Sequence, residues 1–211
     1  MLYMRDWQID ATSILTKEEI GAVLANLHRN GTRSLNTRMN LAIFRLACCC
    51  GLRVSEIAGL QTADMRLNTA RPHIVIRAAI AKCGRGRKVP LWWDQGTFDD
   101  LTEWIIVRRA HGATNEAPLI CSLQPRRLGT ALGRHVLRKR FRTACGALGS
   151  DRLRDLTIHH GRHTFISQAI AGGRTLAEVR DAAGHSNIST TSCYLHCCDP
   201  EDGLRGNLFQ A

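Results

Sequence analysis

Residues 159–196 read HHGRHTFISQAIAGGRTLAEVRDAAGHSNISTTSCYLH and hold five histidines, three arginines and one of the chain's two tyrosines. A core sealed from water gains nothing from so many titratable groups, so the stretch points to a shared chemical object. Its apolar pattern breaks at Gly172-Gly173 and again at Gly184, which divides it into three short helices. His159 and Arg162 stand three residues apart and share a helical face, whereas His160 and Arg162, two apart, do not. Gly184-His185 follows, and Tyr194 comes nine residues after His185.

Working upstream, PRRLGTALGRHVLRKRFRTACGALG carries Leu137, Phe141, Ala144 and Leu148 as an apolar stripe at helical spacing. Arg134, Arg138 and Arg142 form a row beside it, and residues 121–150 contain seven Lys or Arg and no acid. An unrelieved basic face in a basic chain is best explained by phosphate contacts. PLICSL is a brief extended piece. Residues 95–110 predict a helix with Phe98, Leu101, Trp104 and Ile105 as its buried stripe. RPHIVIRAAIAKCGRGRKVPLWW has β-branched runs around a Gly-rich turn and predicts a β-hairpin. GLRVSEIAGL predicts a short helix begun by Arg53, where free backbone N–H groups favour anions. A helix is expected over residues 36–49, stopped by Gly51. Another begins after Thr16, whose spacing to Glu19 is that of a capping box and whose stripe is Ile20, Val23, Leu24 and Leu27. The expected fold is therefore mainly α with a small antiparallel β-sheet, an α+β class.

With 211 residues, 44% of them hydrophobic, the chain can bury one substantial core. A 22% charged fraction excludes a disordered polyelectrolyte, and a net charge of +11 points to a polyanionic partner, most simply nucleic acid. No run of about 18 apolar residues exists, so no membrane-spanning helix is expected. MLYMRDWQID has neither a basic leader nor an apolar signal core, which predicts a cytoplasmic, nucleoid-associated protein. The nine cysteines are an odd count with no CxxC pair, so a structural zinc site has poor support; His196-Cys197-Cys198 is a minor metal-binding alternative, and no metal is expected. Cys48, Cys49 and Cys50 are consecutive, Cys197 and Cys198 adjacent; as reduced thiols they read mostly as small hydrophobic fillers.

Arg53, Lys82, His159, Arg162, His185 and Tyr194 are the set that phosphoryl transfer without a metal asks for. Together their motifs resemble those of the tyrosine recombinases, the phage integrase family. GLRVSEIAGL resembles that family's first arginine motif and KCGRGRKVPL its hairpin lysine motif. HHGRHTF resembles the HxxR motif, and GHSNISTTSCYLH the closing motif with histidine and nucleophilic tyrosine. The resemblance covers roughly residues 15–196, all in order.

The resemblance implies a site-specific recombinase, an integrase or invertase, that breaks and rejoins DNA through a covalent 3′-phosphotyrosyl link without metal, ATP or other cofactor. In it Tyr194 attacks the phosphodiester, Arg53 and Arg162 hold the non-bridging oxygens, and Lys82 protonates the leaving 5′-oxygen. His159 accepts the tyrosine's proton, His185 donates to the phosphate, and Glu56 braces Arg53. Arg85, Arg87, Lys88, Arg126, Arg127, Arg134, Arg138 and Arg142 are the expected DNA contacts. Double-stranded DNA, a homotetramer on it and accessory DNA-bending proteins are the implied partners. Residues 1–14 read as an N-terminal extension, 15–196 as the catalytic domain, and 197–211 as a tail exchanged between subunits or folded back on its own core, with Leu204, Leu208 and Phe209 as anchors. The chain resembles the short members that are little more than the catalytic domain. Two other readings stay open: a type IB topoisomerase-like relaxing enzyme, and a non-catalytic DNA-binding regulator of the same fold. Three positions depart from the family pattern. Gly161 replaces a bulky aliphatic residue, which predicts a looser turn; Cys83 replaces a glycine, and Ala183 a leucine.

Overall fold

The computed structural model of the chain describes residues 11–195 and 208–209. Expectations for residues 1–10, His196, Cys197, Cys198 and Leu204 lie outside the described residues. Helix α1 (Lys17–Gly31) opens on the expected capping box: Glu19 N–H donates to Thr16 Oγ1 at 3.2 Å, and Thr16 N–H to Glu19 Oε2 at 3.0 Å. Each bond satisfies an amide that the helix cannot. Ile20, Val23, Leu24 and Leu27 are buried as the stripe requires.

Helix α2 (Leu35–Phe44) runs directly into a π-helical turn, Arg45–Cys49. Cys48, Cys49 and Cys50 are buried there and unpaired, and burial pushes all three thiols up, which keeps them inert. The same turn buries Arg45, whose guanidinium Nε donates to Asp100 at 2.6 Å and Nη1 to Asp94 at 3.3 Å. Gly51 ends the run at φ +64°, and a Cβ there would lie 2.3 Å from the Phe165 ring. Both the backbone and the space demand glycine. After it comes α3 (Val54–Gly59).

The sheet has three antiparallel strands, β1 (Met65–Arg66), β2 (His73–Ile76) and β3 (Arg87–Pro90), in the order β1-β2-β3. The hairpin pairs Ile74 with Val89 and Ile76 with Arg87. Strand β1 is an addition to the predicted hairpin; two residues carry too little periodicity to be read. Ile74, Ile76 and Val89 face the core. Arg87, two residues before Val89, shares that inward face.

Helix α4 (Gln95–Ala110) buries Leu101 and Trp104, the latter donating from Nε1 to the Leu119 carbonyl at 3.0 Å. Phe98 and Ile105, also expected in its stripe, pack partly buried on the core. Helix α5 (Arg134–Ala144) buries Leu137, Phe141 and Ala144 and leaves Arg134, Arg138 and Arg142 exposed. Helices α6 (Gly149–Asp155), α7 (Ile158–Ala171), α8 (Leu176–Ala183) and α9 (Ser189–Ser192) complete the fold. Gly172 and Gly184 cap α7 and α8, Gly184 in the left-handed region at φ +71°. Leu208 and Phe209 are buried against this chain's own core: Phe209 stacks on Phe165 with centroids 6.4 Å apart, and its N–H donates to Asp94. No described helix is long and apolar enough to cross a membrane.

Candidate active site

Helix α7 lies on the π-helical turn. Gly161 is the reason it lies so close, because a Cβ at this position would stand 3.0 Å from Cys48 Sγ and 3.1 Å from Ala47. The turn expected to be loose is instead tightly packed, which corrects the reading of that glycine: it is selected by proximity. The close approach buries Arg162 to 3% exposure. Arg162 Nη1 donates to the Gly51 carbonyl at 2.8 Å, so the bend after the π turn anchors the guanidinium. Its Nη2 is buried with no hydrogen-bond partner. Burial, and then the positive charges of Arg53 and Arg87, push its pKa down to about 9, which leaves it protonated at neutral pH but short of an anion.

Arg53, the N-cap residue of α3, sits at the rim with Nη2 3.4 Å from the Gly184 carbonyl. Glu56 organises this corner. It is fully buried and accepts from Arg53 N–H at 2.8 Å, Arg53 Nη1 at 3.1 Å, and Arg87 Nη1 and Nη2 at 2.7 and 2.9 Å. Burial alone would raise its pKa; the bonds and charge of Arg87, then of Arg53, hold it below the ordinary 4.5. Arg87 also donates from Nε to the Ala182 carbonyl at 2.8 Å, tying β3 to the end of α8. Arg87 is thus an internal brace, its side chain 8% exposed and turned toward Glu56 by strand alternation.

Gly184 releases the chain from α8 and presents His185, whose Nδ1 lies 2.9 Å from Thr191 Oγ1 at the foot of α9. In the tautomer where Nδ1 accepts from that hydroxyl, Nε2–H is left to donate. Burial and the charges of Arg162, Arg53 and Arg87 push its pKa down to about 4. Lys82 lies exposed in the turn between β2 and β3. His159 has its pKa lowered by burial and by Arg162, His160, Arg53 and Lys82, so those cations share its surroundings. Arg53, Lys82, Arg85, Arg87, Gly184 and His185 line an open cleft of about 880 Å³.

Tyr194 is buried to 4% exposure, close enough to Arg162 for its charge to be felt there. Its hydroxyl lies 2.7 Å from Nδ1 of His163, a residue not among the expected site residues. His163 was legible in principle: it follows Arg162 directly and stands four residues after His159, on the same helical face. Of the expected DNA contacts, Arg85, Lys88, Arg126, Arg127, Arg134, Arg138 and Arg142 are exposed. Among the described residues no group of three His, Cys, Asp or Glu is arranged to hold a metal ion.

The phage integrase family model matches residues 13–200, which spans the whole of this site. The chain belongs to the phage integrase family. Among relatives, it is 30% identical over 187 residues to tyrosine recombinase XerD of Lacticaseibacillus casei, covering 86% of this chain and 57% of the relative. It is 30% identical over 161 residues to the TnP I resolvase of Bacillus thuringiensis, covering 76% and 51%. The chain thus spans about half the length of the curated relatives it matches. Its fold is similar to that of the XerA recombinase, with TM-score 0.67, 20% identity, and 87% and 58% coverage. It is also similar to the XerH site-specific recombinase in a post-cleavage complex with its palindromic difH substrate, with TM-score 0.68, 23% identity, and 89% and 50% coverage. Cys83 holds φ +63°, the left-handed conformation that the family's usual glycine adopts without strain. Ala183, the last residue of α8, is fully buried in the core.

Proposed function

We propose that this integrase-family chain is a site-specific DNA recombinase that breaks and rejoins strands through a 3′-phosphotyrosyl intermediate, with residues 15–196 as its catalytic unit. The observation that carries the reading is the unpartnered, buried Nη2 of Arg162 beside the cations Arg53 and Lys82 and the imidazoles of His159 and His185, whose pKa values those cations lower. Gathering these charges is unfavourable until a phosphate oxygen arrives. Arg162 and Arg53 offer planar donors to the two non-bridging oxygens, and Nε2–H of His185 offers a third donor. These groups oppose the charge that grows in the pentavalent transition state.

Tyr194 Oη attacks phosphorus, forming the O–P bond as the bond from phosphorus to the 5′-oxygen breaks. Lys82, on its exposed turn, delivers a proton to that leaving oxygen. The link preserves the bond energy, so a 5′-hydroxyl reverses the step without ATP. Strand exchange between two duplexes uses four such sites, which makes a homotetramer on DNA the working assembly. Arg85, Lys88, Arg126, Arg127, Arg134, Arg138 and Arg142 supply phosphate contacts whose contribution weakens with salt. Accessory DNA-bending proteins are further proposed partners, acting where the exposed basic residues alone bind too weakly.

Suicide DNA substrates drawn from the sequence flanking the chain's own gene test the reading. Wild type is expected to form an SDS-resistant adduct; Tyr194→Phe is expected to form none while retaining DNA in a mobility-shift assay. Arg162→Lys keeps a charge but loses the fork, and is expected to cleave at least about 100-fold more slowly. An adduct in Tyr194→Phe overturns the assignment of the nucleophile.

A further inference from the structure

We propose that His163 is the group that accepts the phenolic proton of Tyr194, a role that rests on the strand-cleavage reading above. Its Nδ1 lies 2.7 Å from the phenol oxygen, the distance of a well-made hydrogen bond between a hydroxyl and an imidazole. The two rings stack with centroids 5.7 Å apart and planes inclined by 30°. His163 is in turn held in place by His159, whose ring meets it edge-on at 4.7 Å, and by His160 at 6.1 Å.

The chemistry of the cluster narrows the choice of acceptor. Arginine and lysine side chains here are donors only, and a phenol near its ordinary pKa of about 10 needs a partner that can take its hydrogen. A neutral imidazole provides one. Burial, then electrostatic coupling to His159, His160 and Arg162, push the His163 pKa down to about 4. The ring is thus neutral at physiological pH, and the tautomer carrying hydrogen on Nε2 leaves the Nδ1 lone pair facing the hydroxyl. Such a weakly basic ring is a poor base in the empty site. A bound phosphodiester changes that balance, because an anion beside the ring favours its protonated form. The proton transfer is coupled in this way to occupancy of the Arg162 cradle.

The Tyr194 O–H bond breaks as Oη bonds to phosphorus, and the hydrogen passes to His163 Nδ1. The bond from phosphorus to the 5′-oxygen breaks, and that oxygen takes its proton from Lys82. On resealing, the attacking 5′-hydroxyl returns a proton to Lys82, and the His163 imidazolium returns one to the departing phenolate. His159, exposed on the side of Lys82 and Arg53, remains a phosphate-side residue.

Two measurements decide the matter. Nitrogen-15 NMR of histidine-labelled protein without DNA reads the contact itself: Nδ1 of His163 is expected unprotonated and hydrogen-bonded, and Tyr194→Phe is expected to shift it downfield. A protonated Nδ1, or one indifferent to Tyr194→Phe, overturns the inference. Adduct formation on suicide DNA reads the role. His163→Leu is expected to lower the rate at least about 100-fold with DNA affinity held within about threefold. His163→Gly is expected to regain rate with added imidazole, a response that loss of packing alone does not give. His163→Leu cleaving at the wild-type rate, or His163→Gly unmoved by imidazole, overturns the inference while leaving the cleavage reading intact. Absence of an adduct in wild type sinks both.

Discussion

Removing the Glu56 carboxylate is the perturbation whose cost the structure specifies best. Four hydrogen bonds end on this fully buried side chain, two from each of Arg53 and Arg87. Glu56→Ala strands the Arg87 guanidinium, whose side chain is only 8% exposed, with the Ala182 carbonyl as its remaining partner. Breaking a buried pair by deleting one partner costs about 3–5 kcal/mol. Arg53 adds under about 1 kcal/mol, because its side chain is 22% exposed and water replaces the lost bond. A domain of this size is stable by about 5–15 kcal/mol, so the variant should remain folded but visibly weakened. Urea denaturation monitored by tryptophan fluorescence gives the cost. Arg87→Met in the Glu56→Ala background should recover about 2 kcal/mol, since no uncompensated charge is left behind. The pH dependence has a defined sign. Glu56 has a folded-state pKa below the ordinary 4.5, so its contribution is complete above that value and lost as pH falls through the depressed one. Glu56→Gln should flatten that acid-side loss. If the separate costs of Glu56→Ala and Arg87→Met add within about 0.5 kcal/mol, the two are not coupled and the brace does not exist.

Cys83→Gly should stabilise the hairpin turn by about 0.5–1 kcal/mol, the left-handed strain relieved at φ +63° less the added freedom of the unfolded chain; an unchanged or lowered urea midpoint refutes it. Phe209→Ala should cost about 3–4 kcal/mol, because the ring is 2% exposed and stacked on Phe165. A cost below about 1 kcal/mol would show that this part of the tail is not seated on its own core in solution.

Periodicity and local chemistry already determined most of the scaffold. The Thr16–Glu19 box, the stripes of α1 and α5, the limits of α4 and the glycine breaks around α8 depend on contacts within a few residues, which is the range sequence patterns report. The order of the arginine, lysine, histidine and tyrosine motifs likewise carried the resemblance to the integrase family, whose model matches residues 13–200. What local pattern cannot carry is which groups meet across more than a hundred residues. Gly161 gives no hint of Cys48, so a close helix contact read as a loose turn. Arg87 lies among exposed basic neighbours, and only its pairing opposite Ile76 reveals that it faces Glu56. The hydroxyl of Tyr194 meets Nδ1 of His163, a contact set by how α7 and the segment carrying Tyr194 pack on the core and written in neither segment alone.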